Sequence, residues 1–223
     1  MKRALFLFFL LALGCDDSEQ VSNPSGPSAG QAGSGGSGGS GGSDDKVVGV
    51  LCDVVAEQHP LAPTAHVTEC SPLSQDLFTS NPPSSGNHYP VWAAFKAYDQ
   101  PIPRGYYLHD EEHGAVVFLY NCPGGCPEDV AALKAIVAAL PVDPLCTDPA
   151  GPQRRAIITP DPKIDSKFAV AAWGWTLKAP CVDPQSFSAF ARAHYAKAVE
   201  NFCINGTDVL AVGVAPGCGE EAK

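Results

Sequence analysis

The sequence predicts an α+β domain: a small sheet with helices on one face, preceded by a loop-rich N-terminal half and stapled by disulfides. Three observations predict it. Residues 115–120 form a β-branched and aromatic run that reads as a buried strand. Two later stretches repeat apolar residues at helical spacing. Eight cysteines follow residue 47, an even number. Taken in order, the chain before Gly114 is rich in Pro and Ser and reads mostly as loop. The strand at 115–120 lies between Gly114 and a Cys-Pro-Gly-Gly turn. A helix over 128–140 aligns Val130, Leu133, Ile136, Val137 and Leu140 in one stripe. Pro127 suits its first turn, Glu128 and Asp129 favour the positive end of its dipole, and Pro141 stops it. A Pro/Asp-rich loop follows. Residues 156–159 and 168–173 read as two strands, expected to pair as a hairpin. Asp183 and Pro184 cap a final helix over 184–202, with Phe187, Phe190, Ala191, Tyr195, Ala198 and Phe202 on one side. The core order is strand–helix–strand–strand–helix. Trp92, Trp173 and Trp175 are expected at or near the core.

The N-terminus concerns export. Lys2 and Arg3 precede an apolar run from Ala4 to Leu13. A membrane-spanning helix needs about 20 such residues, so the run fits a secretory signal instead. It ends in Ala12-Leu13-Gly14-Cys15, which resembles the lipobox of bacterial lipoproteins. The resemblance implies that residues 1–14 are a signal peptide and that Cys15 is diacylated and anchors the chain to a membrane. Residues 15–46 are Gly/Ser-rich with little to bury, and read as a flexible tether with an r.m.s. span of about 30 Å. Residues 47–223 are left as one globular domain. The expected location is the cell envelope, periplasmic or on the outer surface. Formal net charge is −10, and removal of Lys2 and Arg3 makes the mature chain −12. An acidic chain without basic clusters argues against nucleic acid and anionic lipid surfaces as partners; a protein partner is not identified by sequence. In an oxidising compartment, Cys52, Cys70, Cys122, Cys126, Cys146, Cys181, Cys203 and Cys218 predict up to four disulfides. Sequence proximity favours Cys52 with Cys70 and Cys181 with Cys203.

Five of six histidines precede Gly114. His66, His88, His109 and His113 cluster around turns just before the first buried strand. A spacing of four puts His109 and His113 on one side of a helical turn, which Gly114 can end in a left-handed conformation. Two imidazoles on one face can share a metal at about 2.0–2.1 Å. Asp110, Glu111 and Glu112 add charge that favours a cation and can orient the rings as acceptors, and Glu112 is itself a candidate ligand. The expected cofactor is one copper or zinc ion. The bland alternative is that these histidines hydrogen-bond loop backbone and hold the irregular half together; acid–base catalysis is a third reading. The segment is not a His-Glu-x-x-His peptidase helix, because its second position is Asp and Gly114 leads into a strand.

Four segments carry a further resemblance. They are Ala-His-Val-Thr-Glu (65–69), Asn-Pro-Pro-Ser-Ser-Gly-Asn-His-Tyr (81–89), Leu-His-Asp-Glu-Glu-His-Gly-Ala-Val-Val (108–117) and Ala-Ala-Trp-Gly (171–174). Together they resemble the marker segments of the bacterial domain-of-unknown-function family 3105, over roughly residues 65 to 202. The resemblance implies no established activity. It implies that His66, His88, His109, Glu112 and His113 fall on family motif positions, and this chain departs from the pattern in its extra cysteines.

Locally, the strand–Cys122-Pro-Gly-Gly-Cys126-Pro–helix segment is similar to that of Sco-type copper chaperones, whose fold is thioredoxin-like. Cysteines at a helix N-terminus have depressed pKa values and make better thiolates. A plain disulfide, within the pair or to Cys146 or Cys181, is the competing expectation. A thioredoxin-like arrangement also needs a parallel strand and a cis-proline after the motif helix, for which Pro160 is the candidate. No phosphate loop, nucleophile elbow or dinucleotide fingerprint is present, and catalysis is not the favoured expectation. Three readings stand: a metal-binding envelope lipoprotein, a thiol–disulfide or copper-transfer protein using Cys122 and Cys126, and a non-catalytic scaffold or interaction lipoprotein.

Overall fold

The computed structural model describes residues 52–214 and 217–220, all within one compact unit, Val48–Lys223. The signal peptide, Cys15 and the tether lie outside the described residues. Five strands and three α-helices follow one another: β1 (Val55–Gln58), α1 (Arg104–Glu112), β2 (Val116–Tyr120), α2 (Pro127–Ala138), β3 (Ala156–Pro160), β4 (Phe168–Ala172), β5 (Trp175–Ala179) and α3 (Pro184–His194). The strands form one mixed sheet in the order β1-β5-β4-β2-β3. β2 is parallel to β3 and antiparallel to β4, while β5 is antiparallel to both β4 and β1. The fold is therefore α+β.

β2 reads as a continuous apolar run because both its faces are covered. Val116 and Phe118 pack with Leu133 and Ile136 of α2 and with Phe187, Phe190 and Ala191 of α3. Val117 and Leu119 point the other way, toward Tyr106, Tyr107 and Leu108 of α1. Each fully buried apolar side chain here contributes roughly 1.5–3 kcal/mol. α2 begins at Pro127 with Glu128 and Asp129 in its first turn. α3 is capped by Asp183, whose Oδ2 accepts from the Ser186 amide at 2.8 Å. These two helices share the face that the sequence assigns them.

Four expectations need correction. The strands at 156–159 and 168–173 do not form a hairpin: β3 and β4 lie on either side of β2. Connecting β3 in parallel to β2 needs a crossover, and α2 supplies it. α3 stops at His194 rather than 202. Ala196 is left-handed (φ 57°), and its amide donates to the Gly114 carbonyl at 2.9 Å, so the chain peels off to meet the end of α1. The segment before Gly114 contains β1 and a nine-residue helix, α1, where the sequence shows a single turn. All nine residues of α1 are buried, among them Arg104, His109, Asp110, Glu111 and Glu112. A helix buried all round with this composition has no apolar stripe to detect. The disulfides join Cys52 to Cys181, Cys70 to Cys218, Cys122 to Cys126 and Cys146 to Cys203. Neither pairing favoured by proximity occurs, because the sheet brings Cys52 beside the β5–α3 connection. Four disulfides match an oxidising, extracytoplasmic compartment. Among the described residues no helix is long and apolar enough to cross a membrane.

Candidate metal centre

α1 positions three of the residues. Its end is closed by a two-bond motif in which the Gly114 amide donates to Glu111 O and the Ala115 amide donates to Asp110 O, each at 2.9 Å. Gly114 is left-handed (φ 87°), and a Cβ there would stand 2.9 Å from the Ala196 Cα. At its start, Gly105 lies beneath the Tyr89 ring, where a Cβ would come within 2.6 Å of the ring edge. Helical spacing then places His109, Glu112 and His113 on one face. Asp110 and Glu111 fall on other faces. Asp110 Oδ2 accepts from the Ala93 amide at 3.0 Å, and both Glu111 carboxyl oxygens are buried without a partner. Burial pushes both acids well above the ordinary carboxyl range, and for Glu111 the neighbouring Asp110 adds to it. The expectation that these two acids orient the imidazoles is therefore wrong.

The other two histidines arrive on irregular chain. His66 and His88 form an isolated parallel bridge, with the Val67 amide donating to His88 O at 2.8 Å and the His88 amide donating to Ala65 O at 3.2 Å. This pairing stacks two loops so that their imidazoles meet over α1. The rings of His66, His88 and His109 form a triangle with centroid separations of 4.9, 4.7 and 4.7 Å. Glu112 closes the group. Its Oε2 lies 3.0 Å from His88 Nε2 and 4.0 Å from His66 Nε2. His66, His88, His109 and Glu112 each offer one ligand atom within 4.8 Å of all the others. Four donors at about 2.0–2.1 Å from one tetrahedral ion stand about 3.3 Å apart. A modest contraction reaches that spacing, and His66, whose side chain is 53% exposed, is the one free to move.

Backbone carbonyls set the tautomers. His88 Nδ1 donates to Gly86 O at 2.9 Å, and His109 Nδ1 donates to Tyr89 O at 2.7 Å. In a neutral imidazole this leaves Nε2 as the lone-pair nitrogen, the state a metal requires. His88 Nε2 is buried and, despite its approach to Glu112, makes no aligned hydrogen bond. A lone pair facing a carboxylate oxygen at 3.0 Å is repulsive unless a proton or metal ion lies between them. Burial, reinforced by the neighbouring His88, lowers His109 to about 4 despite the bond to Tyr89 O. Burial also lowers His88, opposed by the Gly86 carbonyl and by Glu112. These nitrogens are neutral at neutral pH.

His113 sits behind His109, with ring centroids 4.4 Å apart, and does not join the first group. Its Nε2 lies 3.1 Å from Glu200 Oε2, its ring packs on Phe202 at 3.9 Å, and Trp92 stands against both His109 and His113. Burial, then the charges of His109, His88, His66 and Arg155, lowers it to about 3. Glu112, His113 and Glu200 form a second group of closely spaced potential ligands. Sequence reading missed Glu200, which lies in the stretch assigned to the final helix. It also missed Arg155, which is fully buried. Arg155 donates from Nη1 to His113 O at 2.7 Å and to Asn201 Oδ1 at 2.8 Å, and from Nε to Asp143 Oδ2 at 2.8 Å. It thereby ties the end of α1 to the loop that carries Glu200.

The remaining histidines are elsewhere. His59 pairs with Thr176 Oγ1 at 2.7 Å, and His194 stacks on Trp175 at 4.4 Å. Cys122 and Cys126 lie beyond the opposite end of β2 from Gly114, joined to each other in a partly exposed turn. A parallel strand, β3, does follow α2, but Pro160 follows a trans bond; among the described residues the cis bond is Asn81–Pro82.

The sequence pattern of the family described as Protein of unknown function (DUF3105) matches residues 66–203. That span takes in both ligand groups, from His66 to Glu200, and the Cys122–Cys126 turn. No curated protein and no solved structure matches the chain. The chain belongs to the family DUF3105.

Proposed function

We propose that this member of the DUF3105 family is an envelope lipoprotein, anchored through Cys15, whose domain binds a divalent transition-metal ion, zinc or copper(II), through His66, His88, His109 and Glu112. The observation that carries the reading is the convergence of three imidazoles and one carboxylate, two of those imidazoles held through Nδ1 by backbone carbonyls, which leaves Nε2 to coordinate. Imidazole with carboxylate suits zinc and copper. Sulfur is not part of the set, since the described cysteines are paired with one another. The lipid anchor rests on the Ala12-Leu13-Gly14-Cys15 sequence, and equal fatty-acid labelling of the wild type and Cys15→Ser in a bacterial host would remove it. For the metal, the untagged mature protein is purified from membranes in detergent, stripped with chelator and titrated with zinc and copper(II) by calorimetry. Dissociation constants below micromolar, about 8 kcal/mol, are expected. Binding no tighter than about millimolar for both ions rejects the site.

A second reading has its own observation. The Cys122–Cys126 disulfide is partly exposed at the N-terminus of the twelve-residue α2, where the helix favours a thiolate. Exchange with a partner dithiol would reduce this bond and oxidise the partner. Equilibration against a glutathione buffer tests it: persistence of the bond under conditions that reduce glutathione-type disulfides leaves it structural.

A further inference from the structure

The second ligand group does not stand apart from the first, because Glu112 belongs to both. We propose that Glu112 bridges two metal ions, the second held by His113 and Glu200. The inference rests on the single-ion reading above and extends it to a carboxylate-bridged pair.

Three observations support it. First, the ligand spacing repeats. His113 Nε2 and Glu200 Oε2 are 3.1 Å apart, as His88 Nε2 and Glu112 Oε2 are 3.0 Å apart. Both match the edge of a coordination sphere with donors about 2.0–2.1 Å from an ion. Second, the His113 ring is 2% exposed and its Nε2 faces Glu200 Oε2, so burial fixes this donor nitrogen on the side of the group. Third, Glu200 is built into position although its side chain is half exposed. Its amide donates to Glu112 O at 3.1 Å, and the Ala196 amide donates to Gly114 O at 2.9 Å. Arg155 holds Asn201 and the His113 carbonyl together, and Cys203 is bonded to Cys146. A surface acid placed by chance has no reason to be pinned from both sides.

The geometry of α1 makes the bridge natural. His109 and His113 are one turn apart, with ring centroids 4.4 Å from each other, and Glu112 lies between them on the same face. A carboxylate donating one oxygen to each ion holds them about 3.5–4 Å apart, the separation of two-metal sites. The first ion would have four protein ligands and the second three. The second is therefore the more open, with solvent reaching it past Glu200.

The test is stoichiometry with a spin readout, on the mature protein in detergent. Metal content after zinc loading and gel filtration should be two ions per chain for wild type, one for Glu200→Gln, and none retained for Glu112→Gln. Glu200→Gln is the informative variant, because a half-exposed residue tolerates the change. With copper(II), the first equivalent should give a full-intensity mononuclear resonance. The second should diminish it by coupling through the bridge, whereas Glu200→Gln keeps the full signal at saturation. One ion per chain in both wild type and Glu200→Gln overturns the bridged pair and leaves the single-ion reading standing. Two ions in Glu200→Gln place the second ion elsewhere and also overturn it. No ion in wild type removes both readings together.

Discussion

The two faces of the sheet are built on different rules. On one, α2 and α3 lay Leu133, Ile136, Phe187 and Phe190 against Phe118 and Val170, and packing of apolar side chains accounts for the arrangement. On the other, α1 is buried on every side and brings Arg104, His109, Asp110, Glu111 and Glu112 inside with it. There some of the polar groups are met individually and others, such as the Glu111 carboxyl, are not. Arg104 pairs with Asp161 through Nε at 2.9 Å and Nη2 at 3.2 Å, His109 donates to the Tyr89 carbonyl, and Asp110 takes the Ala93 amide. Burial of polar groups costs free energy unless each is paired. A face that retains several, with His88 Nε2 and His113 Nδ1 unpartnered, gives up stability that apolar packing would supply. One face is built by apolar packing, and the other holds the His/Glu cluster.

Truncation on each face separates the two rules most strongly. Phe187→Ala should lower unfolding free energy by about 3–5 kcal/mol in urea, while zinc affinity changes by no more than a few fold at a temperature where the variant is folded. His109→Ala should do the reverse, weakening zinc binding by at least about 100-fold, beyond the 10–100-fold typical of residues that only orient ligands. If Phe187→Ala weakens zinc as much as His109→Ala does, the faces are not separable.

Proton competition sharpens the contrast. Free imidazole takes up its proton near pH 6.5, but His88 is lowered and His109 lies at about 4. Between pH 7.5 and 6, three free imidazoles would each lose roughly a factor of four in their neutral fraction. The centre should lose less, because His109 remains unprotonated through that window and burial lowers His88 as well. Calorimetric zinc titrations at the two pH values measure it, and a loss as steep as that of a tri-histidine peptide would mean that the histidines are solvated.

A buried acid gives a smaller effect with its own sign. Glu111 is raised, so it stays protonated in the folded chain above pH 4 while the unfolded chain releases the proton. Stability is then lost as pH rises, by up to about 1.4 kcal/mol per pH unit for that group. Glu111→Gln removes the dependence. The variant should gain on wild type as pH rises above the ordinary glutamate range in chelator-treated urea unfolding, and a constant difference would show Glu111 to be ionised. The smallest effect belongs to the helix end: Gly114→Ala should cost about 1–3 kcal/mol, since its left-handed backbone and the Ala196 contact oppose a Cβ.

The same division decides what was legible in the sequence. β2 and α2 could be read because their residues repeat with strand and helix periods and meet apolar neighbours. β5 was missed because Thr176 and Lys178 interrupt its apolar residues, so this five-residue strand shows no continuous apolar run. α3 was extended too far because Ala198 and Phe202 continue its stripe, whereas the competing contacts of Ala196 with Gly114 and of Tyr195 with Asp143 are tertiary. His66, His88, His109 and Glu112 could be nominated by residue type and turn chemistry. The bridge between His66 and His88, the assignment of His113 to a second group, and Glu200 depend on chain segments far apart in sequence, and no local signal encodes them.

X-ray absorption on protein loaded with one equivalent of zinc tests the central claim most directly. The account predicts a first shell of nitrogen and oxygen at about 2.0–2.1 Å, with the outer-shell scattering of about three imidazoles and no sulfur. A zinc–sulfur distance near 2.3 Å, or a shell of oxygen without imidazole, would contradict it.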